Sequence, residues 1–474
     1  MRGHPAVLFI LSLLLFAAGS WSLPLMDRDE PRFAEAAREM RQGGDYVIPY
    51  FNHEYRFDKP PLTYWLQIPA YSVLGENEFA ARLPSIICGA LTVVVIWGFG
   101  QRLCPETGVG GLAALLFMTC VQVFMHARGA VADMIMVLFV ALSTWAAWEL
   151  LRDEEPRRNW RWWTVFWVSM ALGFLGKGPV AWLPLGAIWI YAALRKPAGL
   201  GKRFGFLPGT VLMLVLVGLW GVPALVKTHG LYFSIGIGKH VVGRSLTSME
   251  GHGATGWLTY LLLLPFFFLT VFVSFFPWSI RIPWLIKRLR AQGNQMSGET
   301  LFLLLSAALY FGVFTLVRTK LPHYTLPAFP MLALLMAREL EQAGAQSSFR
   351  RWVVVAAVVE AIVALFVFPS LSFLFPSKAL VAKSALDLKP DMVFAAGSYQ
   401  EPSLVWYARK YVRGFMTPSH DKKLQRFMEE PGPRFCVAPA GTIQPQPGWK
   451  VFTQNGFNIP QGKKVDLELV VKPD

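Results

Sequence analysis

Cysteine is scarce in this chain, and so is charge. The 474 residues hold four cysteines, Cys88, Cys104, Cys120 and Cys436, in separate segments and without metal-ligand spacing. That distribution argues against a disulfide framework and a zinc–cysteine centre. The sequence contains no G-x-G-x-x-G, P-loop, internal repeat or low-complexity tract, so a nucleotide-driven engine is not expected. Charged residues make up 16% against 54% hydrophobic, with a mean hydropathy of +0.41. This is too apolar for a soluble chain of this length and indicates the membrane class.

Long hydrophobic runs dominate instead. Segments of roughly twenty apolar residues, enough to cross about 30 Å of hydrocarbon, recur at 6–25, 82–101, 109–125, 131–150, 160–176, 179–194, 206–226, 257–280, 301–317, 321–338 and 352–370. The reading is an all-α polytopic membrane protein with about eleven transmembrane helices. The first run also admits a cleaved signal peptide. It continues past Ala17-Ala18-Gly19-Ser20 through Trp21 and Leu25, long for a signal core, which favours a retained span.

Basic residues outnumber acidic ones 45 to 30, a formal net charge of +15. Much of the excess lies in alternate loops: Arg152, Arg157, Arg158 and Arg161, then Arg195, Lys196, Lys202 and Arg203, then Arg281, Lys287, Arg288 and Arg290, then Arg338, Arg350 and Arg351. Basic loops resist translocation, so these are assigned to the cytoplasm with the N-terminus inside. The charge is therefore topological, and no nucleic-acid partner is expected.

Three soluble features fall on the opposite side: a loop at 26–81, a loop at about 227–256, and a tail from 372 to 474. The first loop should form a helix from Asp29-Glu30-Pro31 through Met40, stopped by Gly43-Gly44, and a second from Pro61 to Leu74, stopped by Gly75. Leu62, Tyr64, Trp65, Ile68 and Tyr71 give the second helix an aromatic face suited to the bilayer interface. The tail alternates strand-like Met392–Ala396, Arg434–Ala438 and Val465–Val471 with helix-like Pro402–Tyr411 and Lys422–Glu430, a small α/β domain outside the cytoplasm. The domain division is thus 1–371 and 372–474.

Ionisable groups at or within membrane spans are costly, so each calls for a partner or a task. Asp29 and Glu30 follow the first span, where a carboxylate can take a proton from an acceptor hydroxyl. The same residues equally serve as an acidic first turn on a helix dipole. Asp133 opens an apolar helix and is either a cap or a site group, with Arg128 nearby as a partner. Lys177, in Gly176-Lys177-Gly178-Pro179, sits where glycines let an anion approach the backbone, or it simply snorkels to water. Asp58 and Lys59 precede a rigid Pro60-Pro61. Lys239, His240 and Arg244, and further on Arg318, Lys320, His323 and Tyr324, add cations to the same face, where they can hold a phosphate.

At these residues the chain resembles the GT-C membrane glycosyltransferases of the aminoarabinose transferase and protein O-mannosyltransferase superfamily, and most closely the aminoarabinose branch. The resemblance covers residues 20–340 through Asp29-Glu30-Pro31-Arg32-Phe33-Ala34-Glu35, Gly44-Asp45-Tyr46-Val47-Ile48-Pro49, Phe57-Asp58-Lys59-Pro60-Pro61-Leu62, Gly75-Glu76-Asn77-Glu78-Phe79-Ala80-Ala81-Arg82-Leu83-Pro84-Ser85, Lys177-Gly178-Pro179, Phe276-Pro277-Trp278 and Lys320-Leu321-Pro322-His323-Tyr324. It implies an inverting sugar transfer from a polyprenyl phosphate, without a nucleotide sugar, at the periplasmic face of a bacterial inner membrane. The acceptor would be a lipid of the lipid A kind, a protein or another glycan. Asp29, with Glu30 beside it, would be the base or acceptor-positioning carboxylate and Asp133 its support. Lys59, Lys177, Arg244, Lys320 and Tyr324 would hold the phosphate. Two departures stand out, Phe33 where relatives often carry Tyr and Asp58 where they often carry Glu. Since the latter position looks like part of a metal site in some relatives, the resemblance allows a divalent metal at Asp58 without requiring one. A transporter or flippase of a lipid-linked sugar is the competing class. It would place its charges near the bilayer midplane and often shows inverted repeats; here the charges lie at span ends and no repeat is seen.

Overall fold

A computed structural model describes residues 3–105, 107–152, 158–243, 253 and 256–473. The chain packs into two compact units. The first comprises Met1–Ala17, Phe57–Thr63 and Pro84–Ala361, and the second Ala18–Arg56, Tyr64–Leu83 and Ile362–Asp474.

The first unit is a bundle of apolar helices. At its centre Asp133–Arg152 packs along Trp160–Lys177. Phe329–Gln342 lies against Val109–Met118, and Gly298–Leu316 against Leu183–Arg195. Most of the apolar stretch of Asp133–Arg152 is buried, while that of Leu200–Lys227, more apolar still, is mostly not. Leu207, Leu219, Val222 and Val226 of the latter point outward, a surface a soluble protein would not leave open. Among the described residues five helices are long and apolar enough to cross a membrane by length and composition, and a sixth crossing results if Val109–Met118 and Val121–Ala127, bent by 68° at Thr119-Cys120, form one broken span. Other expected spans are also interrupted. Residues 257–280 break at Leu263–Pro265 between Trp257–Leu262 and Phe266–Ser274, because proline removes a helical donor and crowds the preceding turn. Residues 321–338 begin as a 3-10 turn, Pro322–Ala328, before the α-helix starts at Phe329.

The second unit joins the first loop to the tail. Its N-terminal helix, Asp29–Gly43, carries Pro31 in the first turn, where the missing N–H costs nothing, and ends at Gly44 in the left-handed region at φ 69°, the usual glycine stop. A short hairpin, β1 (Tyr50–Phe51) and β2 (Glu54–Tyr55), follows. The helix Leu62–Leu74 forms as expected, but its aromatic face does not lie open at a bilayer surface. Tyr64 and Tyr71 are fully buried. Tyr64 stacks on Phe33, Tyr71 packs near Trp406, and the Tyr71 hydroxyl donates to the Ala34 carbonyl. A tyrosine offers the same apolar body and polar tip to a protein core as to a lipid interface.

In the tail, β3 (Val393–Ala396), β4 (Met416–Pro418), β5 (Arg434–Pro439), β6 (Lys450–Asn458) and β7 (Lys463–Lys472) form one mixed sheet in the order β4-β3-β5-β7-β6. β4, β3 and β5 run parallel, and β5, β7 and β6 antiparallel. Leu424 and Met428 of the helix Asp421–Glu429 fill the core with Ala395, Cys436 and Val470.

Candidate active site

Two of the singled-out residues come together in the first unit. The Trp160–Lys177 helix ends at Lys177 because Gly178, at φ 93° and ψ −161°, adopts a conformation closed to other residues and Pro179 follows it. The Asp133–Arg152 helix begins with its carboxylate, on the positive end of the dipole. Packing the two helices side by side brings the Lys177 ammonium to donate to Asp133 Oδ1. Both side chains are largely buried, 12% and 8% exposed. Asp133 therefore pairs with Lys177, not with Arg128 as sequence proximity suggested: the Arg128 guanidinium donates to the carbonyls of Leu15 and Phe16 at 3.3 and 3.2 Å. An ammonium has three donors, and one of those on Lys177 is engaged.

Two histidines border the pair. His126, near the end of the Val121–Ala127 helix, and His323, in the Pro322–Ala328 turn, have ring centroids 5.3 Å apart with a 44° tilt. Both lie within electrostatic reach of Asp133, and His323 also within reach of Lys177 and Lys59. His126 carries no sequence signal beyond being a polar residue in an apolar stretch, and sequence reasoning passed over it.

The other proposed phosphate ligands are placed as follows. Lys59 is half-buried and donates to the Asp58 carbonyl at 3.1 Å, while its own carbonyl accepts from the Tyr232 hydroxyl at 2.9 Å. Lys320 is buried and spends two donors on the carbonyls of Phe314 and Thr315 at 3.0 and 2.6 Å, closing the end of the Gly298–Leu316 helix. Burial lowers its ammonium to about 8. Its nitrogen also lies 5.4 Å from the Phe267 ring centre and 5.8 Å from that of Tyr260. Tyr324 packs between Phe314 and His323. Arg244 lies outside the described residues. Among the described residues no group of three or more His, Cys, Asp or Glu comes close enough to hold an ion.

The remaining carboxylates belong to the second unit, and adjacent residues differ sharply. Asp29 is exposed at the helix start, without a hydrogen bond or ion pair among the described residues. Glu30 is buried and fully engaged, receiving Arg82 Nε at 2.8 Å and Nη2 at 2.7 Å as well as the Met26 N–H at 2.7 Å. Arg82 in turn donates to the carbonyls of Ser20, Leu23 and Pro24. Glu30 thus fixes the approach to the helix and leaves Asp29 as the available carboxylate.

The same helix is held by the tail. Arg38, entirely buried, lies 3.8 Å over the Trp406 ring and donates to the Trp406 carbonyl at 3.1 Å. Arg409 binds Glu35. The Asp27 carboxyl accepts the N–H and hydroxyl of Ser403 at 2.8 and 2.6 Å; burial pushes it up to about 7 against the pull of those hydrogen bonds. Burial, with the Glu35 charge adding to it, does the same to Glu39, which accepts from the β1–β2 turn at Asn52 and His53.

Residues 58–220 match the family described as dolichyl-phosphate-mannose-protein mannosyltransferase. The chain is 30% identical over 343 residues to an undecaprenyl phosphate-alpha-4-amino-4-deoxy-L-arabinose arabinosyl transferase of Pseudomonas aeruginosa, covering 70% of this chain and 59% of that protein. It is 26% identical over 319 residues to an uncharacterized protein of Aquifex aeolicus, covering 65% and 58%. The chain thus spans less than two thirds of the length of these curated relatives. Among solved structures, that of ArnT from Cupriavidus metallidurans bound to undecaprenyl phosphate superposes with a TM-score of 0.77 at 18% identity, over 98% of this chain and 97% of that one. The apo state of the same protein gives 0.74 at 19% identity.

Proposed function

We propose, from the premise that the chain has the GT-C fold it shares with ArnT and the motifs of that superfamily, that it is an inverting membrane glycosyltransferase using a polyprenyl-phosphate sugar. The acceptor is a lipid of the lipid A kind, with a protein or glycan as the alternative. The observation that carries the reading is the agreement of the chain with a fold solved around undecaprenyl phosphate, together with a largely buried Asp133–Lys177 pair that keeps ammonium donors unspent among the described residues.

In this reading Asp29 orients the acceptor hydroxyl and takes its proton as oxygen attacks the anomeric carbon. The carbon–oxygen bond to phosphate breaks, and its electron pair leaves with the phosphate. Lys177, aimed by Asp133, meets the negative charge that develops there. Lys59, Tyr324 and Arg244 add to phosphate binding, and Lys320 contributes chiefly by closing its helix. About eleven crossings, an inner-membrane location, a periplasmic site and a tail, residues 372–474, that helps choose the acceptor complete the proposal. The competing transporter reading gains no support, since Asp29, Asp133 and Lys177 stand at helix ends.

Incubation of the purified full chain with polyprenyl-phosphate sugars and a lipid or protein acceptor, read by mass spectrometry, tests this. Transfer of one sugar with release of polyprenyl phosphate is expected. Movement of the intact lipid-linked sugar across proteoliposomes, with no product formed, would establish the transporter instead.

A further inference from the structure

The His126–His323 pair is unused by the mechanism above, and its hydrogen bonding restricts what it can do. His126 Nδ1 lies 2.9 Å from the Gln122 carbonyl. A carbonyl only accepts, so Nδ1 carries the hydrogen and Nε2 is left with a lone pair in the neutral ring. His323 has no hydrogen bond among the described residues and is only partly covered. Three of the four ring nitrogens are therefore unspent beside a buried ion pair.

The groups facing His323 come from four elements: Asp133 from its helix, Lys177 from the neighbouring one, His126 from the bent pair and Lys59 from the first loop. Burial opposes a charged imidazole most, and Lys177, His126 and Lys59 oppose it too, whereas Asp133 favours one. A phosphate arriving beside Lys177 reverses that opposition, because its negative charge favours the imidazolium.

We propose that His126 and His323 form a proton-donating pair that serves the departing phosphate. The inference rests on the reading of the chain as a polyprenyl-phosphate-dependent transferase and adds a general acid to it. The pair takes one proton from solvent as the phosphate settles. When the bond from the anomeric carbon to the phosphate oxygen breaks, its electrons go to that oxygen, and the imidazolium N–H proton follows. The ring returns to neutral and polyprenyl phosphate leaves as the monoanion. The acceptor proton, held on Asp29, passes to solvent, so charge and protons balance over one turnover.

The probe is polyprenyl phosphate alone, titrated calorimetrically into the full chain between pH 6 and pH 8, in two buffers of different ionisation enthalpy. Uptake of one proton makes affinity fall by up to about tenfold per pH unit and makes the observed heat depend on the buffer. The ligand's own titration is common to wild type and variants, so the difference between them isolates the histidines. His323→Asn and His126→Asn are each expected to bind the probe, with a flatter pH slope and a smaller buffer dependence, and to lose turnover most at high pH. Identical slopes and heats in both variants and wild type would overturn the proton-donating pair while leaving the transferase intact. Failure of wild type to bind the probe at any pH would overturn the transferase reading, and this inference with it.

Discussion

The two ends of the Asp133–Arg152 helix, roughly 30 Å apart at 1.5 Å per residue, treat charge in opposite ways. Near the C-terminal end Glu149, 3% exposed, receives Arg102 at 2.9 Å and Arg152 at 3.1 Å, with Trp145 Nε1 donating at 3.0 Å. Arg288 and Gln292 likewise occupy both oxygens of the buried Glu339. These carboxylates are consumed, and the arginines that consume them reach solvent. At the N-terminal end Asp133 takes one lysine, whose other donors are unspent among the described residues, next to two imidazoles with nitrogens likewise unspent there. The first arrangement anchors a helix end. The second keeps donors open for the anion that the proposed function places there. A similar contrast appears in the second unit between engaged Glu30 and Asp29, which has no hydrogen bond or ion pair among the described residues.

The largest effect expected from this contrast is on Asp29. Asp29→Asn should lower turnover by about 10²–10⁴, the range of a general base, with binding of polyprenyl phosphate and thermal stability unchanged. Full activity would remove Asp29 from the mechanism, and loss of binding in place of turnover would reassign it. Next, Lys177→Ala should lower kcat by about 10²–10³, typical of a lost charge-stabilising donor, whereas Glu149→Gln should leave kcat within about twofold and lower the melting temperature. Equal kinetic losses at both ends would erase the distinction between them.

A spent charge can be tested on stability alone. Arg38→Ala leaves Glu35 short of a partner in a buried network and should cost about 3–5 kcal/mol, visible as a fall in melting temperature. Smaller still is a pH effect in the same unit. Asp27 and Glu39 are raised from their ordinary values of 3.8 and 4.5 to about 7 by burial. The folded state thus holds protons that the unfolded chain has released. Their contribution is full below about pH 4 and is lost as pH rises through 7. The melting temperature should fall over that window, and Asp27→Asn should flatten the fall. An unchanged profile in that variant would mean that Asp27 is not the group titrating.

The local punctuation of this chain was legible in its sequence. Gly44 and Gly75 end helices where expected, and β3, β5 and β7 fall on the tail segments that read as strands. Strand β6 was missed because Lys450–Asn458 is polar and largely exposed along much of its length, so little hydrophobic pattern marks it. The breaks at Thr119-Cys120 and Leu263–Pro265 were also missed, since an apolar window registers composition and not continuity. Asp133 and Lys177 were each singled out, but 44 residues of separation carry no information about pairing. Proximity in sequence pointed to Arg128 instead. The tail's grip on the Asp29 helix through Arg38, Glu35 and Ser403 is a tertiary fact with no local signature.

The most direct measurement compares polyprenyl phosphate binding after removal of one cation from each end of the central helix's environment, in the full chain at fixed pH and salt. Lys177→Ala should weaken binding at least about tenfold, equivalent to about 1.4 kcal/mol, while Arg152→Ala should leave it within about twofold. Equal weakening by the two substitutions, or a greater loss from Arg152→Ala, would contradict the placement of the phosphate site at Lys177.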